Sequence, residues 1–134
     1  TLLLIYKPQP MNSLFTKIAR VILGLMLLVF GANKFLHFIP MEAPTGSAGE
    51  FMNSLGATGY IFPIVGILEV IIGVMLLLKK WVAFALILLG PISINILLFH
   101  LFLDIPGLSF ALLIVVINSI LIFKHWQQYK PLFY

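Results

Sequence analysis

Four long apolar segments alternate with short polar stretches along the chain, at about residues 15–42, 59–78, 81–103 and 108–124. Each is close to the roughly 20 residues that an α-helix needs to cross a hydrocarbon core about 30 Å thick. We expect the first segment to end between Lys34 and Pro40. The connections at 79–81 and 104–107 are long enough only for tight turns between antiparallel helices. The pattern predicts an all-α membrane protein, a bundle of four transmembrane helices.

The composition indicates that lipid is the solvent of this chain. Of its 134 residues, 62% are hydrophobic and 9% are charged, and the mean hydropathy is +1.16. A water-soluble domain of this length leaves too much surface exposed to conceal so many apolar side chains. We therefore predict a single transmembrane domain over residues 1–134. Residues 1–13 are expected to form an N-terminal extension, because two prolines and a plausible translational start at Met11 precede the first apolar segment.

The chain carries a net charge of +4, but its Lys and Arg residues stand singly or as one pair between the apolar segments. Such a distribution sets membrane topology and is unlike the clustered basic face of a nucleic-acid-binding protein, so no nucleic-acid partner is expected. One side of the predicted bundle has only Lys34. The other side has seven cations: Lys7, Lys17, Arg20, Lys79, Lys80, Lys124 and Lys130. The positive-inside rule therefore places both termini in the cytoplasm.

The longest connection, at about 39–58, is then expected outside. Within it, residues 47–50 (Ser-Ala-Gly-Glu) match a capping box, in which Ser and Glu side chains satisfy backbone N–H groups at a helix start. Gly56 is a candidate helix end. Three apolar residues share one helical face: Phe51, Met52 and Leu55. The pattern predicts a short amphipathic helix at the outer membrane interface, and an ordered but irregular loop is the alternative.

Two stripes of small and charged residues recur at helical spacing. The stripe in the first segment contains Arg20, Gly24, Leu27, Gly31 and Lys34. The stripe in the second segment contains Gly59, Gly66, Glu69 and Gly73. Glycines on such stripes let a neighbouring helix backbone approach closely. The sequence therefore predicts a set of helix-packing residues, namely Arg20, Gly24, Gly31, Gly66 and Gly73.

Glu69 lies near the middle of the second segment, where an ionised carboxylate that faced lipid would be costly. It should therefore face the other helices and either find a cation or take up a proton. Lys34 is the candidate partner, since its long side chain can reach inward from the outer part of the first segment. The alternatives are a Lys34 that extends to the membrane surface and a neutral Glu69 held by hydroxyl or amide groups.

Further polar residues fall in the same outer half of the predicted bundle: Asn33, His37, Asn95, His100 and Asp104. Because Asn95 and His100 are five residues apart, they point about 140° away from each other on a helix, and one pocket is expected to hold only some of these residues. The candidate polar core, a site for a quinone or a proton, consists of Lys34, Glu69, Asn95 and His100.

Few residues of the sequence point to a cofactor or to a metal site. His37 and His100 fall at similar depth, as the ligands of a bis-histidine haem would, but their spacing does not demand it, and haem is not expected. The absence of cysteine excludes a disulfide, a redox dithiol and a thiolate metal site. No metal is predicted and no catalytic residue is assigned. His125, beside Trp126, is expected at the inner membrane interface.

Three short motifs occur in the first two segments: Arg20-x-x-x-Gly24, Gly31-Ala32-Asn33-Lys34-Phe35 and Gly66-x-x-Glu69-x-x-x-Gly73. Together they resemble the DoxX-like family of small four-helix bacterial membrane proteins, and the likeness covers about residues 14–124. Members of that family resemble the membrane subunit of thiosulfate:quinone oxidoreductase, and others accompany redox or oxidative-stress enzymes. The resemblance implies a bacterial inner membrane, a tie to quinone or respiratory chemistry, and importance for Arg20, Lys34 and Glu69.

Two functions fit this sequence. The leading hypothesis is a non-catalytic accessory subunit of a larger respiratory or redox complex in the inner membrane, because the chain has almost nothing outside the bilayer through which to act alone. Its partners would be the lipid bilayer and other membrane protein subunits. The alternative, an enzyme component, is a quinone-reactive subunit of an oxidoreductase in which Glu69 and Lys34 handle a proton. A transporter is disfavoured, since neither an inverted repeat nor a broken helix is evident.

Overall fold

The computed structural model describes residues 13–134, which are almost entirely helical and contain no strand. The predicted N-terminal extension lies outside the described residues except for Ser13. The α-helices are α1 (Leu14–Leu36), α2 (Gly46–Ala57), α3 (Ile61–Leu77), α4 (Val82–Leu103), α5 (Leu108–Lys124) and α6 (Trp126–Tyr129). Two 3₁₀ turns, Ile105–Gly107 and Lys130–Phe133, precede α5 and follow α6.

Three of these elements are long and apolar enough to cross a membrane on their own: α1, α4 and the stretch Ile105–Lys124 that includes α5. Helices α2 and α3 reach that length only as a pair, and the pair is bent by 88° at its break. The described chain therefore contains three candidate membrane spans, or four if the bent pair counts as one. The all-helical class is confirmed at this level.

The first helix is capped at both ends. The Ser13 hydroxyl accepts a hydrogen bond from the Thr16 N–H (3.2 Å), which satisfies one of the free donors at the helix start. At the other end His37 adopts a left-handed conformation (φ 51°), and its N–H donates to the Asn33 carbonyl. The Asn33 side chain then pairs with the backbone of Ile39, accepting from its N–H at 2.7 Å. The helix thus ends at Leu36, within the predicted window and short of residue 42.

The short helix predicted in the long connection is present as α2. Its Phe51 ring stacks on the Phe99 ring of α4 with centroids 5.7 Å apart, and Ala48 and Gly49 are buried. Part of the predicted apolar face therefore packs on the rest of the fold, because a ring–ring contact removes apolar surface from solvent.

The predicted ends of α2 are wrong in detail. The helix begins at Gly46 with Thr45 as its N-cap, and no side chain caps that end, so the capping box at 47–50 is not formed. The helix also continues past Gly56 to Ala57. The residue that takes the left-handed conformation is Gly59 (φ 76°), which turns the chain toward α3.

The four long helices pack as two antiparallel pairs. Helices α1 and α3 share the most extensive contact in the fold, followed by α4 and α5, and the two pairs meet through smaller α3–α4 and α1–α5 contacts. Fully buried aliphatic side chains from all four helices fill the centre, among them Leu23, Ile72, Leu76, Leu86, Leu89 and Leu121. The pairing places the start of α1, the end of α3, the start of α4 and the end of α5 at one end of the fold.

The last helix, α6, is held against the start of α4. Tyr129 is 3% exposed, and its hydroxyl donates a 2.6 Å hydrogen bond to the Ala83 carbonyl. Burial raises the pKa of Tyr129 to about 12. His125 is also buried, with its Nδ1 2.8 Å from the Leu121 carbonyl oxygen. The segment after α5 thus folds back on the helices and does not extend away from them.

Candidate functional site

The predicted glycine stripes form a close-packed seam between α1 and α3. Gly24 faces Gly73, and Gly31 faces Gly66, so that the two pairs lie two helical turns apart. A Cβ atom placed on Gly73 would lie 2.8 Å from the Gly24 carbonyl oxygen, and one on Gly31 would lie 3.0 Å from the Gly66 carbonyl oxygen. Only glycine allows this separation, because real Cβ contacts to backbone are longer.

One member of the predicted second stripe does not belong to the seam. Gly59 precedes α3 and a Cβ there would meet nothing within 4 Å. Its role is conformational, in the turn between α2 and α3. The spacing of Gly59 from Gly66 fits the stripe only in a helix that starts earlier than α3 does.

Arg20 closes one end of the seam. Its guanidinium donates to the carbonyls of Leu76 and Leu77, at the last turn of α3. The last carbonyls of a helix lack the regular N–H donors of the next turn, and a cation there also interacts favourably with the helix dipole. Arg20 is 9% exposed, so it links α1 to α3 from a buried position.

Lys34 and Glu69 form the predicted ion pair toward the opposite end of the seam from Arg20. The Lys34 ammonium lies 2.9 Å from Glu69 Oε2 and 3.1 Å from Oε1, so it donates to both carboxylate oxygens. The Glu69 side chain is 4% exposed and that of Lys34 is 28% exposed. The Glu69 side chain is therefore enclosed, whereas the Lys34 side chain is partly exposed.

The pair reaches across the seam because helical side chains point back toward the helix N-terminus. In antiparallel helices these directions converge, so the Lys34 and Glu69 side chains lean toward each other. Gly31 and Gly66 bring the two backbones close enough for the contact. A Cβ on Gly31 would lie 2.9 Å from Glu69 Cβ, so the glycine also provides room for the glutamate.

An apolar groove runs along the same two helices on the other flank of the seam. Its volume is about 280 Å³ and it is lined by Ala32, Phe35, Leu36, Ile67, Val70 and Ile71. At about 100° of rotation per residue, Glu69 falls on the flank of α3 that also carries the buried Ile72 and Leu76, whereas Ile67 and Ile71 fall on the opposite, exposed flank. The ion pair therefore faces the core, and the groove faces outward.

Only two of the four residues of the predicted polar core, Lys34 and Glu69, are in contact with each other. Asn95 is exposed, and its amide donates to the Pro91 carbonyl of its own helix at 2.9 Å. His100 is paired with Asp104, with Nδ1 2.9 Å from Oδ2. Neither contacts the Lys34–Glu69 pair, because both are engaged within α4 or the turn that follows it. Asn95 and His100 are thus removed from the candidate site.

The remaining polar residues of the outer half have local roles. Asn33 fixes the chain after α1, as described above. His37 is exposed and its Nδ1 lies 3.2 Å from the Phe35 carbonyl oxygen, while His100 is held by Asp104. These contacts give each imidazole a local partner. Within residues 13–134 no group of three or more His, Cys, Asp or Glu side chains converges as a metal site would.

A second buried polar contact, between α4 and α5, was missed from the sequence. The Asn118 amide donates to Ser93 Oγ at 3.1 Å, and that hydroxyl donates to the Gly90 carbonyl at 2.9 Å. Both side chains are at most 3% exposed, and Asn118 Oδ1 has no hydrogen-bond partner. The available sequence signal was a polar residue in each of two adjacent apolar segments. Such residues commonly form hydrogen bonds with each other between helices in an apolar interior.

The fold and this site define an all-helical protein with several helices able to span a membrane and with a charged pair buried between two of them. Comparison of the chain with protein-family models, with curated proteins and with solved structures finds no match in any of the three.

Proposed function

We propose that this protein is a non-catalytic accessory subunit of a larger respiratory or redox complex in a bacterial inner membrane, of the DoxX-like type. In this proposal α1, α3, α4 and α5 make four spans. Helix α2 lies at the outer interface, and both termini are cytoplasmic, as the distribution of Lys and Arg favours.

One observation carries the proposal: the three charged groups that lie deeper in α1 and α3, those of Arg20, Lys34 and Glu69, are engaged by the chain itself. Glu69 is held by Lys34, and Arg20 is held by the carbonyls at the end of α3. A charge that serves catalysis in a membrane is typically directed at a substrate path or a water-filled cavity. Here the charges join α1 to α3, so their evident effect is to hold a scaffold together.

The outward groove beside the seam supplies a surface for the partner. Its lining contains no polar residue, and Phe35, Ile67 and Ile71 on its rim are each close to half exposed. In lipid, helices associate through close packing of complementary shapes, since apolar surface alone gives no net driving force. A groove between two closely spaced helices is a shape into which a side-chain ridge of another transmembrane helix can fit.

Site-specific photocross-linking in native membranes tests this proposal. A photoreactive residue at Ile67, in the groove, should give one discrete protein adduct. The mass of that adduct should differ from the mass of a dimer of this chain. The same residue at Leu112 of α5, which is similarly exposed at 44%, is the control and should give none. If both positions gave only lipid adducts, the proposed heteromeric complex would be contradicted. A protein adduct made of two copies of this chain would contradict it as well.

A quinone-reactive subunit is the second candidate, and the asymmetric exposure of the ion pair favours it. The Glu69 side chain is 4% exposed and the Lys34 side chain is 28% exposed, so a head group that approaches from the lysine side would exchange a proton with the pair. A quinone analogue should then bind the purified protein in detergent, and Glu69→Gln should abolish that binding. Turnover of a quinone or a sulfur compound by the chain alone would overturn the accessory role.

A further inference from the structure

The fold separates its charges into two ends. Apart from Lys34, every Lys and Arg of residues 13–134 belongs to the end where α1 and α4 start and α3 and α5 finish: Lys17, Arg20, Lys79, Lys80, Lys124 and Lys130. We call it the basic end. The Asp and Glu residues of the same range are Glu42, Glu50 and Asp104 at the opposite end, and Glu69, which Lys34 neutralises. The basic end therefore has no carboxylate side chain to balance its cations.

Contacts in the structure place two of these cations against neighbouring helix ends. The Arg20 guanidinium lies against the last turn of α3, immediately before Lys79 and Lys80. The Lys124 ammonium, at the end of α5, lies 6.0 Å from the centre of the Phe15 ring in the first turn of α1. A carbonyl group and an aromatic ring carry no full negative charge, so these partners do not neutralise Arg20 or Lys124.

Aromatic side chains surround the same end. Trp81 is 77% exposed beside Lys80, and Trp126 is 42% exposed and stacks on Phe133 with centroids 5.8 Å apart. Tryptophan at the level of the lipid headgroups combines an apolar ring with a hydrogen-bond donor, and lysine there reaches the phosphates. The chemistry of this end thus matches a surface that is apolar on one side and anionic on the other.

We propose that the basic end binds anionic phospholipid headgroups, with Lys17, Lys80 and Lys124 on the phosphates and Trp81 and Trp126 at the boundary with the acyl chains. This selectivity for anionic over zwitterionic lipid is independent of which complex the protein joins. Each lysine near an anionic membrane surface contributes roughly fivefold in affinity, so the three together contribute about 100-fold.

The experiment uses the two tryptophans, which are the only ones in the chain and both lie at the basic end. The full protein is placed in vesicles of phosphatidylcholine that contain brominated phosphatidylglycerol, and the quenching of tryptophan fluorescence is compared with that in the reverse mixture. We expect brominated phosphatidylglycerol to quench more strongly than brominated phosphatidylcholine at equal mole fraction. The preference should fall at high salt, because screening weakens contacts between exposed charges.

Variants assign the effect to the lysines. The triple change Lys17→Gln, Lys80→Gln and Lys124→Gln should bring the relative affinity for the two lipids close to one, and the same three positions changed to Arg should keep the preference. If the glutamine triple does not fold, the three single changes and the salt titration of the unaltered protein decide. A control that neutralises Glu42 and Glu50 at the opposite end should leave quenching unchanged.

Two results would overturn the proposal. Equal quenching by the two brominated lipids would show that the basic end does not select anionic lipid. Displacement of brominated phosphatidylglycerol by inorganic phosphate would show a site for small anions in place of a lipid-binding surface.

Discussion

Replacing Lys34 with Met removes the cation that faces Glu69 and keeps most of the side-chain volume. The carboxylate is 4% exposed and its two oxygens accept from the Lys34 ammonium in the intact protein. In the variant it must remain charged in an apolar interior, take up a proton, or move toward the surface. Each of these outcomes lowers the free energy of unfolding of the variant relative to the unaltered protein.

The structure predicts an asymmetry between the two single changes. Removal of one partner of a buried ion pair costs about 3–5 kcal/mol, and because Lys34 is partly exposed we expect Lys34→Met near the lower limit, at about 3 kcal/mol. Glu69→Gln should cost less, about 1–2 kcal/mol, since the long Lys34 side chain is already partly exposed and can move its ammonium toward the surface. The double variant carries no buried charge and should be more stable than Lys34→Met alone.

A double-mutant cycle measures this coupling. The free energy of unfolding of the four proteins is obtained in mixed micelles by titration with a denaturing detergent, with circular dichroism as the signal. Directly contacting residues typically show coupling of about 1–3 kcal/mol. Additive losses would refute the argument that the pair contributes to the α1–α3 contact, and equal losses for the two single changes would refute the asymmetry.

Three further predictions use other parts of the fold. Gly73→Ala should destabilise the protein by about 1–3 kcal/mol because its Cβ meets backbone, whereas Gly90→Ala, with open space, should be neutral or stabilising by up to about 1 kcal/mol in the same unfolding assay. The pKa of Tyr129 is about 12 in the folded protein and about 10 in the unfolded chain, so the neutral phenol stabilises the folded state fully below pH 10. This stabilisation, at most about 2.7 kcal/mol, is lost as the pH rises from 10 to 12. Unfolding curves of Tyr129→Phe should not show that loss. A phosphatase fusion after Tyr134 should be inactive and one at Ser47 active, since phosphatase requires the periplasm; activity after Tyr134 would contradict the proposed orientation.

The helices themselves follow closely from the sequence. The apolar segments predicted at 81–103 and 108–124 correspond to α4 (Val82–Leu103) and α5 (Leu108–Lys124), because long apolar runs bounded by Gly, Pro and charged residues leave little choice of boundary. The end of α1 was less determined. The sequence allows the helix to run on as far as Pro40, and the chain leaves it at Leu36 through hydrogen bonds between the Asn33 side chain and the Ile39 backbone.

The contact between Lys34 and Glu69 was also predictable, since a buried carboxylate among apolar helices needs a cation and this chain offers few. By itself the sequence determined the all-helical class and the apolar segments, and it predicted the glycine stripes apart from Gly59 and favoured that pairing, because each depends on spacing along one helix or on the scarcity of charge in an apolar chain. Only the tertiary structure decided which polar residues share a site. It turned Asn95 outward, gave His100 to Asp104, and joined Asn118 to Ser93. Those outcomes depend on how each helix is rotated about its axis against its neighbours, and periodicity within a nearly uniform apolar segment does not specify that rotation.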